Sequence, residues 1–215
     1  MTYLDLVNSV LRKLREDEVT TVDETDYSRL VGDFVNDAKR LVEDTWDWTA
    51  LRETYTVATT SGTALYPLSD LNTRGKILYV FNETTNREVL KESLQRIRSL
   101  NLTSDNAQGP IAYYAVDGLD SNNDVQLRLY RTPNTVETLS VYTVKRPGDL
   151  TADSDTVSVP SFPIVQWAYS YALRERGETG GQSAAEQAIF AQQELSNAVS
   201  FDAGLSFDET IWTAP

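Results

Sequence analysis

The chain has 215 residues, enough for one large domain or two lobes, and its 40% hydrophobic and 10% aromatic content is ordinary for a protein that buries its own core. Cysteine and histidine are both absent, which excludes disulfides, thiol nucleophiles, Ser-His-Asp and Cys-His catalysis, and nearly every zinc site. Thirty-two acids against 19 bases leave a net charge of −13, so the chain repels nucleic-acid phosphates rather than collecting them.

The start, Met1-Thr-Tyr-Leu-Asp, carries neither a basic n-region nor a long apolar run, so no signal peptide or membrane span is expected from it. Leu4, Val7, Leu11 and Leu14, with Val10 beside them, predict an amphipathic helix from Thr2 to about Glu16. After a polar stretch from Asp17 to Glu24, the residues Tyr27, Leu30, Val31, Phe34, Val35, Ala38, Leu41, Val42 and Trp46 form one broad apolar stripe. This second helix is capped by Thr25 or Asp23.

The period then changes. Leu51 to Thr59 is rich in Thr, Tyr and Val, and the Ser61-Gly62 turn before Ala64 to Leu68 suggests a hairpin. Lys76 to Phe81 reads as a strand, and the polar turn Asn82 to Asn86 leads into Arg87 to Leu90. Leu90, Leu94, Ile97 and Leu100 step as a short helix. Three strand-like runs follow at Ile111–Val116, Val125–Arg131 and Thr138–Arg146. In the middle one, Val125, Leu127 and Leu129 alternate with Gln126, Arg128 and Tyr130, as in a half-buried strand. Helix returns with Ser161 as N-cap and Pro163 in the first turn, along Ile164, Trp167, Ala168 and Tyr171 to Gly177. Past Gly180-Gly181, a Ser183/Glu186 capping box opens a last helix through Ala185, Ala188, Ile189, Leu195 and Val199.

This order predicts an α+β fold. Residues 1–50 and 160–200 supply terminal helix pairs that form an antiparallel helical bundle. Residues 51–159 form an inserted antiparallel β-rich lobe with a short helix near 90–100, and residues 201–215 are a C-terminal docking arm. Leu30, Phe34, Leu41, Ile164, Trp167 and Ile189 are expected to share one core. Charge follows the same division: residues 1–50 hold 12 acids and 6 bases, 51–150 hold 11 of each, and 151–215 hold 9 acids and 2 bases.

No glycine-rich phosphate loop is present. Asp117, Asp120 and Asp124 lie in or beside a Gly-Leu-Asp-Ser-Asn-Asn-Asp segment. Turn chemistry is the favoured reading there, over a carboxylate pair or a calcium loop, which lacks its downstream Glu. Trp46 and Trp48, flanking Asp47, read as plugs at the junction of the lobes. Tyr113, Tyr114, Tyr130 and Tyr142 are either a sugar platform or ordinary cross-strand pairs. Phe201, Leu205, Phe207, Ile211 and Trp212 sit among acids after the last periodic helix. Large apolar residues there cost solubility unless they dock, either back on their own lobe or as an arm on a neighbouring subunit or partner.

The order of several short motifs carries a resemblance. They are Val42-Glu-Asp-Thr-Trp46-Asp-Trp48, Leu51-Arg52 with its Thr-rich strand to Gly62, Tyr66-Pro67-Leu68 and Gly109-Pro110-Ile111-Ala112-Tyr113. Then come Leu127-Arg-Leu129-Tyr-Arg-Thr-Pro133, Leu139-Ser-Val141-Tyr142, Pro147-Gly-Asp-Leu150, Val159-Pro160 and Trp167-Ala168-Tyr169. Over roughly residues 30 to 175 the chain resembles the head-to-tail adaptor (connector) proteins of tailed bacteriophages, the group that includes the tail tubular A proteins. The resemblance implies a structural virion protein at the head-tail junction. It implies a ring, usually dodecameric, beneath the portal protein, with neighbouring adaptor subunits and tail or nozzle proteins as partners. Genomic DNA passes through without specific binding, and no catalytic residue, cofactor, metal or membrane is involved. An acidic channel wall would let DNA slide, with Asp33, Asp37, Arg40 and Asp44 on the polar face of the second helix as candidates. Two other classes remain in view: a carbohydrate-binding β-sandwich using Tyr113, Tyr114 and Tyr130, and a histidine-free hydrolase with two carboxylates about 5–9.5 Å apart.

Overall fold

Thr2 begins the first helix with a capping box: its side chain accepts from the Asp5 N–H at 3.1 Å, and Asp5 accepts from the Thr2 N–H at 3.0 Å. A computed structural model describes residues 1–103, 108–177 and 184–205. Its elements in order are α1 (Tyr3–Lys13), α2 (Asp26–Thr45), β1 (Arg52–Ala58), β2 (Leu65–Leu68), β3 (Lys76–Asn82), β4 (Arg87–Lys91), α3 (Leu94–Thr103), β5 (Tyr113–Leu119), β6 (Val125–Tyr130), β7 (Thr138–Val144), α4 (Ser161–Arg176) and α5 (Ala184–Leu205). The fold is mixed α+β. The chain divides into two compact units, one made of Met1–Leu51 and the chain from Pro147 on, the other of Arg52–Arg146.

In the helical unit, α1 buries Leu6, Val7, Val10 and Leu11, and α2 buries Val31, Val35, Ala38 and Val42, each at helical spacing. α4 packs against α1, α2 and α5 through Ile164, Val165, Ala168 and Ala172. Each fully buried Leu, Ile or Val contributes about 1.5–3 kcal/mol. Phe34 of α2 meets Tyr171 of α4 edge-on, ring centroids 6.3 Å apart. α1 approaches α2 closely because position 32 is glycine; a Cβ there would collide with the Tyr3 ring.

Several expectations shift in this unit. Ile189, expected in the shared core, is 71% exposed. The register of α5 is set instead by Gln187, Ala191, Leu195 and Asp202. Gln187 is buried because its amide donates to Gln166 Oε1 at 2.8 Å, so a satisfied polar pair rotates Ile189 to the surface. Pro160, not Ser161, is the N-cap of α4. α5 continues through Phe201 to Leu205, so these two residues belong to a helix and not to an arm. The Ser183 capping position, Gly180-Gly181, Phe207, Ile211 and Trp212 lie outside the described residues. Residues 147–159, read with the sheet, fall in the helical unit, for a reason given below.

The sheet unit is one seven-stranded sheet in the order β1-β7-β3-β4-β5-β6-β2. Every neighbouring pair is antiparallel except β4–β5, which is parallel at Leu90↔Tyr113 and Lys91↔Tyr114. Parallel strands need a crossover, and α3 supplies it. Leu90, expected at the start of that helix, therefore lies on β4, and α3 begins after Ser93, whose hydroxyl accepts from the Arg96 N–H at 3.2 Å. β1 and β2 do not form a hairpin with each other: β7 pairs with β1 from Arg52↔Val144 to Ala58↔Thr138, and β6 pairs with β2. The Ser61-Gly62 turn is present, with Gly62 at φ +83°, but it sends the chain to the opposite end of the sheet order. One core cluster joins Tyr66, Leu68, Val80, Tyr114, Leu127, Leu129 and Val141. A smaller one, Ile97 with Ala115 and Tyr130, sits under α3.

Candidate functional site

Asp33, Asp37, Arg40 and Asp44 recur every three or four residues and lie together on the exposed face of α2. The basic member is already engaged. Arg40 forms a two-pronged ion pair with Asp149, its Nε 2.8 Å from Oδ1, and lies 3.9 Å from Asp37. Its hydrogen bonds to Asp149, and then the charge of that carboxylate, hold the guanidinium pKa above its ordinary range. Lys39, the other base nearby, does not face solvent. Its side chain is 1% exposed, 2.8 Å from the equally buried Glu43, and donates to Gly148 O at 2.7 Å and Pro147 O at 3.4 Å. The face is therefore net acidic.

The same helix explains why residues 147–159 belong to this unit. Asn36 donates to Leu150 O at 3.1 Å and accepts from the Leu150 N–H at 2.9 Å, one turn from Lys39 and Arg40. Further along, Asp153 accepts from the Val22 N–H, and the Tyr3 and Leu4 N–H groups donate to Asp155 O and Asp153 O. A segment without helix or strand is thus strapped across α1 and α2 by side-chain and backbone hydrogen bonds.

Trp46 and Trp48 both bond within the helical unit. Trp48 is fully buried and donates from Nε1 to Val42 O at 2.8 Å. Trp46 donates from Nε1 to Asp202 at 2.9 Å, and the Thr49 N–H (3.0 Å) and hydroxyl bond the same carboxylate. Beside this buried group, Phe201 and Leu205 on the last turns of α5 are each 79% exposed. Of the five expected docking residues these two are described, and they share one helix end.

The sequence reading assigns no partner and no buried role to Asp202, Asn36, Lys39 or Glu43. A signal existed for three of them. Lys39 and Glu43 are four apart on the flank of the Val31–Val35–Ala38–Val42 stripe, and Asp202 continues the Ala191–Leu195 stripe at helical spacing.

The competing sites dissolve on inspection. Tyr114 and Tyr130 are buried in the two sheet-unit clusters, and Tyr113 stacks on Tyr130 with centroids 6.2 Å apart, which does not favour a sugar platform. Tyr142 stacks on Tyr79 as a cross-strand neighbour. Asp117 is clamped between Arg98 and Arg128, Asp120 accepts from the Asn122 and Asp124 N–H groups, and Asp124 accepts from the Asp70 N–H. These are turn and ion-pair carboxylates. Among the described residues no cluster of metal-ligating side chains occurs, and no helix is long and apolar enough to cross a membrane.

Among curated proteins, none matches the chain. The sequence profile of the SU10 adaptor protein family, by contrast, matches residues 1–206. That match supports a phage adaptor without extending to the tail tubular A subgroup. Nearly the whole chain, both units included, follows the family pattern, and the protein belongs to the SU10 adaptor protein family.

Proposed function

We propose that the protein is one subunit of a head-to-tail adaptor ring, twelve-fold, that sits below the portal of the virion, extends the DNA channel and gives tail proteins a platform. The observation that carries this reading is the family match over residues 1–206. The role is mechanical. Phe201 and Leu205, with Phe207, Ile211 and Trp212 beyond them, dock on the portal or an adjacent subunit. The acidic face of α2, Asp33, Asp37, Arg40 and Asp44, lines the channel. An acidic wall repels the duplex toward the axis and leaves it mobile, whereas a basic wall would have to break every phosphate contact as the genome moves. The engagement of Arg40 by Asp149 and the burial of Lys39 support this assignment, since neither offers DNA a free cation.

The test is addition of purified protein to portal-bearing heads that lack an adaptor. Each subunit is 24.1 kDa, so a closed ring adds about 290 kDa to the particle. The isolated protein at low salt stays monomeric or weakly associated because like-charged copies repel, and added salt favours assembly. Heads that gain no such mass, or stable dodecamers of the isolated protein at low salt, count against the reading. Asp33, Asp37 and Asp44 changed together to lysine should slow genome ejection while rings still form.

A further inference from the structure

The buried residues of α5, Gln187, Ala191, Leu195 and Asp202, lie along one face of the helix. After Leu195 the next buried residue is the carboxylate of Asp202, and Gly204, a weak helix former, follows two positions later. In the last two turns of α5 no apolar side chain is fully buried, Val199 being only half-buried. These turns are held where Asp202 meets Trp46 Nε1, the Thr49 N–H and the Thr49 hydroxyl.

A carboxylate withdrawn from water needs a cation or several donors. No cationic side chain pairs with Asp202 among the described residues, and three donors from the segment just after α2 compensate it. An apolar residue at 202 would bury as well without fixing an orientation. Hydrogen bonds add direction, because they fail when the donor and acceptor turn away. Phe201 and Leu205, four residues apart, stand on the neighbouring exposed face of the same two turns.

We infer that Asp202 is a positioning residue for docking: by tying the end of α5 to Trp46 and Thr49, it fixes the direction in which Phe201 and Leu205 are offered to the portal. This rests on the reading that this end of the chain docks on another protein. Loss of the tie leaves the docking residues intact but correctly aimed in only a fraction of molecules, which weakens apparent affinity in proportion without abolishing binding.

The experiment titrates full-length Asp202→Ala, Trp46→Phe and wild-type protein onto portal-bearing heads lacking an adaptor, with hydrogen exchange measured on each free protein. Asp202→Ala should shift the joining midpoint about tenfold to higher concentration and still reach the wild-type plateau. Its hydrogen exchange should accelerate in residues 196–205 and stay unchanged in α1, α2 and α4. Trp46→Phe, which leaves both Thr49 bonds, should shift the midpoint in the same direction by less. Joining at the wild-type midpoint despite a loosened α5 end would overturn the inference, and so would a lost plateau, which would make Asp202 a contact or a folding residue. Should Asp202→Ala not fold, Asp202→Asn, of equal volume and with one acceptor oxygen, takes its place with the same expected shift and the same refuting outcomes. A separate variant, Phe201→Ala and Leu205→Ala with residues 206–215 removed, tests the underlying reading: normal joining by it would remove the docking end itself, whatever Asp202 does.

Discussion

The two units of this chain are held together by different means. The sheet unit, 10 acids against 11 bases, relies on backbone ladders and two apolar clusters, with a buried Asn82–Glu137 hydrogen bond and Arg146 donating to the Arg74 carbonyl beside them. The helical unit, 22 acids against 8 bases, fixes its irregular segments with buried polar groups: Lys39–Glu43 and its carbonyl partners, Asn36 on Leu150, Gln187 on Gln166, and Asp202 on Trp46 and Thr49. Apolar packing tolerates a change of shape within limits, whereas a buried polar group is nearly all-or-none, since an unmade bond costs its full desolvation. In the helical unit these exacting groups hold segments that have no backbone ladder of their own. That unit also carries the residues proposed here for docking and for the channel wall.

Trp46, Trp48 and Trp167 fall in the helical unit, so with Trp212 changed to phenylalanine the fluorescence reads that unit, while β-sheet circular dichroism follows the other. The largest effect is expected from Lys39→Met. It removes the ion-pair partner of the buried Glu43 carboxylate and should lower the stability seen by fluorescence by about 3–5 kcal/mol, whereas Lys39→Met with Glu43→Leu should recover most of it. Equal losses in the single and double variants would show that the pair is not what matters. Leu127→Ala, in the sheet core, should cost about 3 kcal/mol in the dichroism transition. If both signals shift together in urea, the two units unfold as one block and the contrast between them fails. Asn36→Ala removes two hydrogen bonds to Leu150 and should cost about 1–3 kcal/mol, with faster hydrogen exchange confined to residues 147–157. The smallest effect is expected with pH. Burial foremost, and then nearby acids, pushes Tyr3 in one unit and Tyr55 in the other up from an ordinary 10 to about 12. The folded chain keeps both protons where the unfolded chain loses them, so their contribution is full below pH 10 and is lost as pH rises to about 12. Tyr3→Phe should flatten that decline in fluorescence and Tyr55→Phe in dichroism; a variant that leaves its slope unchanged would disprove the assignment for that residue.

Much of the fold was readable from the residues because its signals are local. The stripes of α1 and α2, the Thr25 cap and the alternation of Val125, Leu127 and Leu129 each depend on neighbours a few positions away, and each produced its element. Partner choice between strands is not local. Nothing near Gly62 says that β1 will take β7 as its neighbour, because that pairing is decided by a ladder formed some eighty residues later. Buried polar residues misled in the same way. Gln187 drew no expectation, and Ile189 was placed inside, because a glutamine becomes a core residue only when a partner such as Gln166 is waiting for it. The candidate site divides likewise. The acidic face of α2 and the apolar end of α5 are visible as patterns, but the strap on Asn36, Lys39 and Arg40, and the role of Asp202, exist only once distant segments meet.

The strap also sets an order on synthesis. The sheet unit is a continuous stretch, Arg52–Arg146, and every strand it needs has been synthesised before Pro147 is added. The helical unit is split around it. At about 5–20 residues per second, α1 and α2 wait roughly 5–20 s for the intervening stretch before Gly148 and Leu150 reach Lys39 and Asn36, and longer still for α4. During that interval Val31, Val35, Ala38 and Val42 lack the helix that covers them. A ribosome stalled after β7 has emerged but before α4 has would therefore hold a finished sheet joined to an adhesive, unfinished helix pair, and the nascent chain is most exposed to chaperones and proteases at that point.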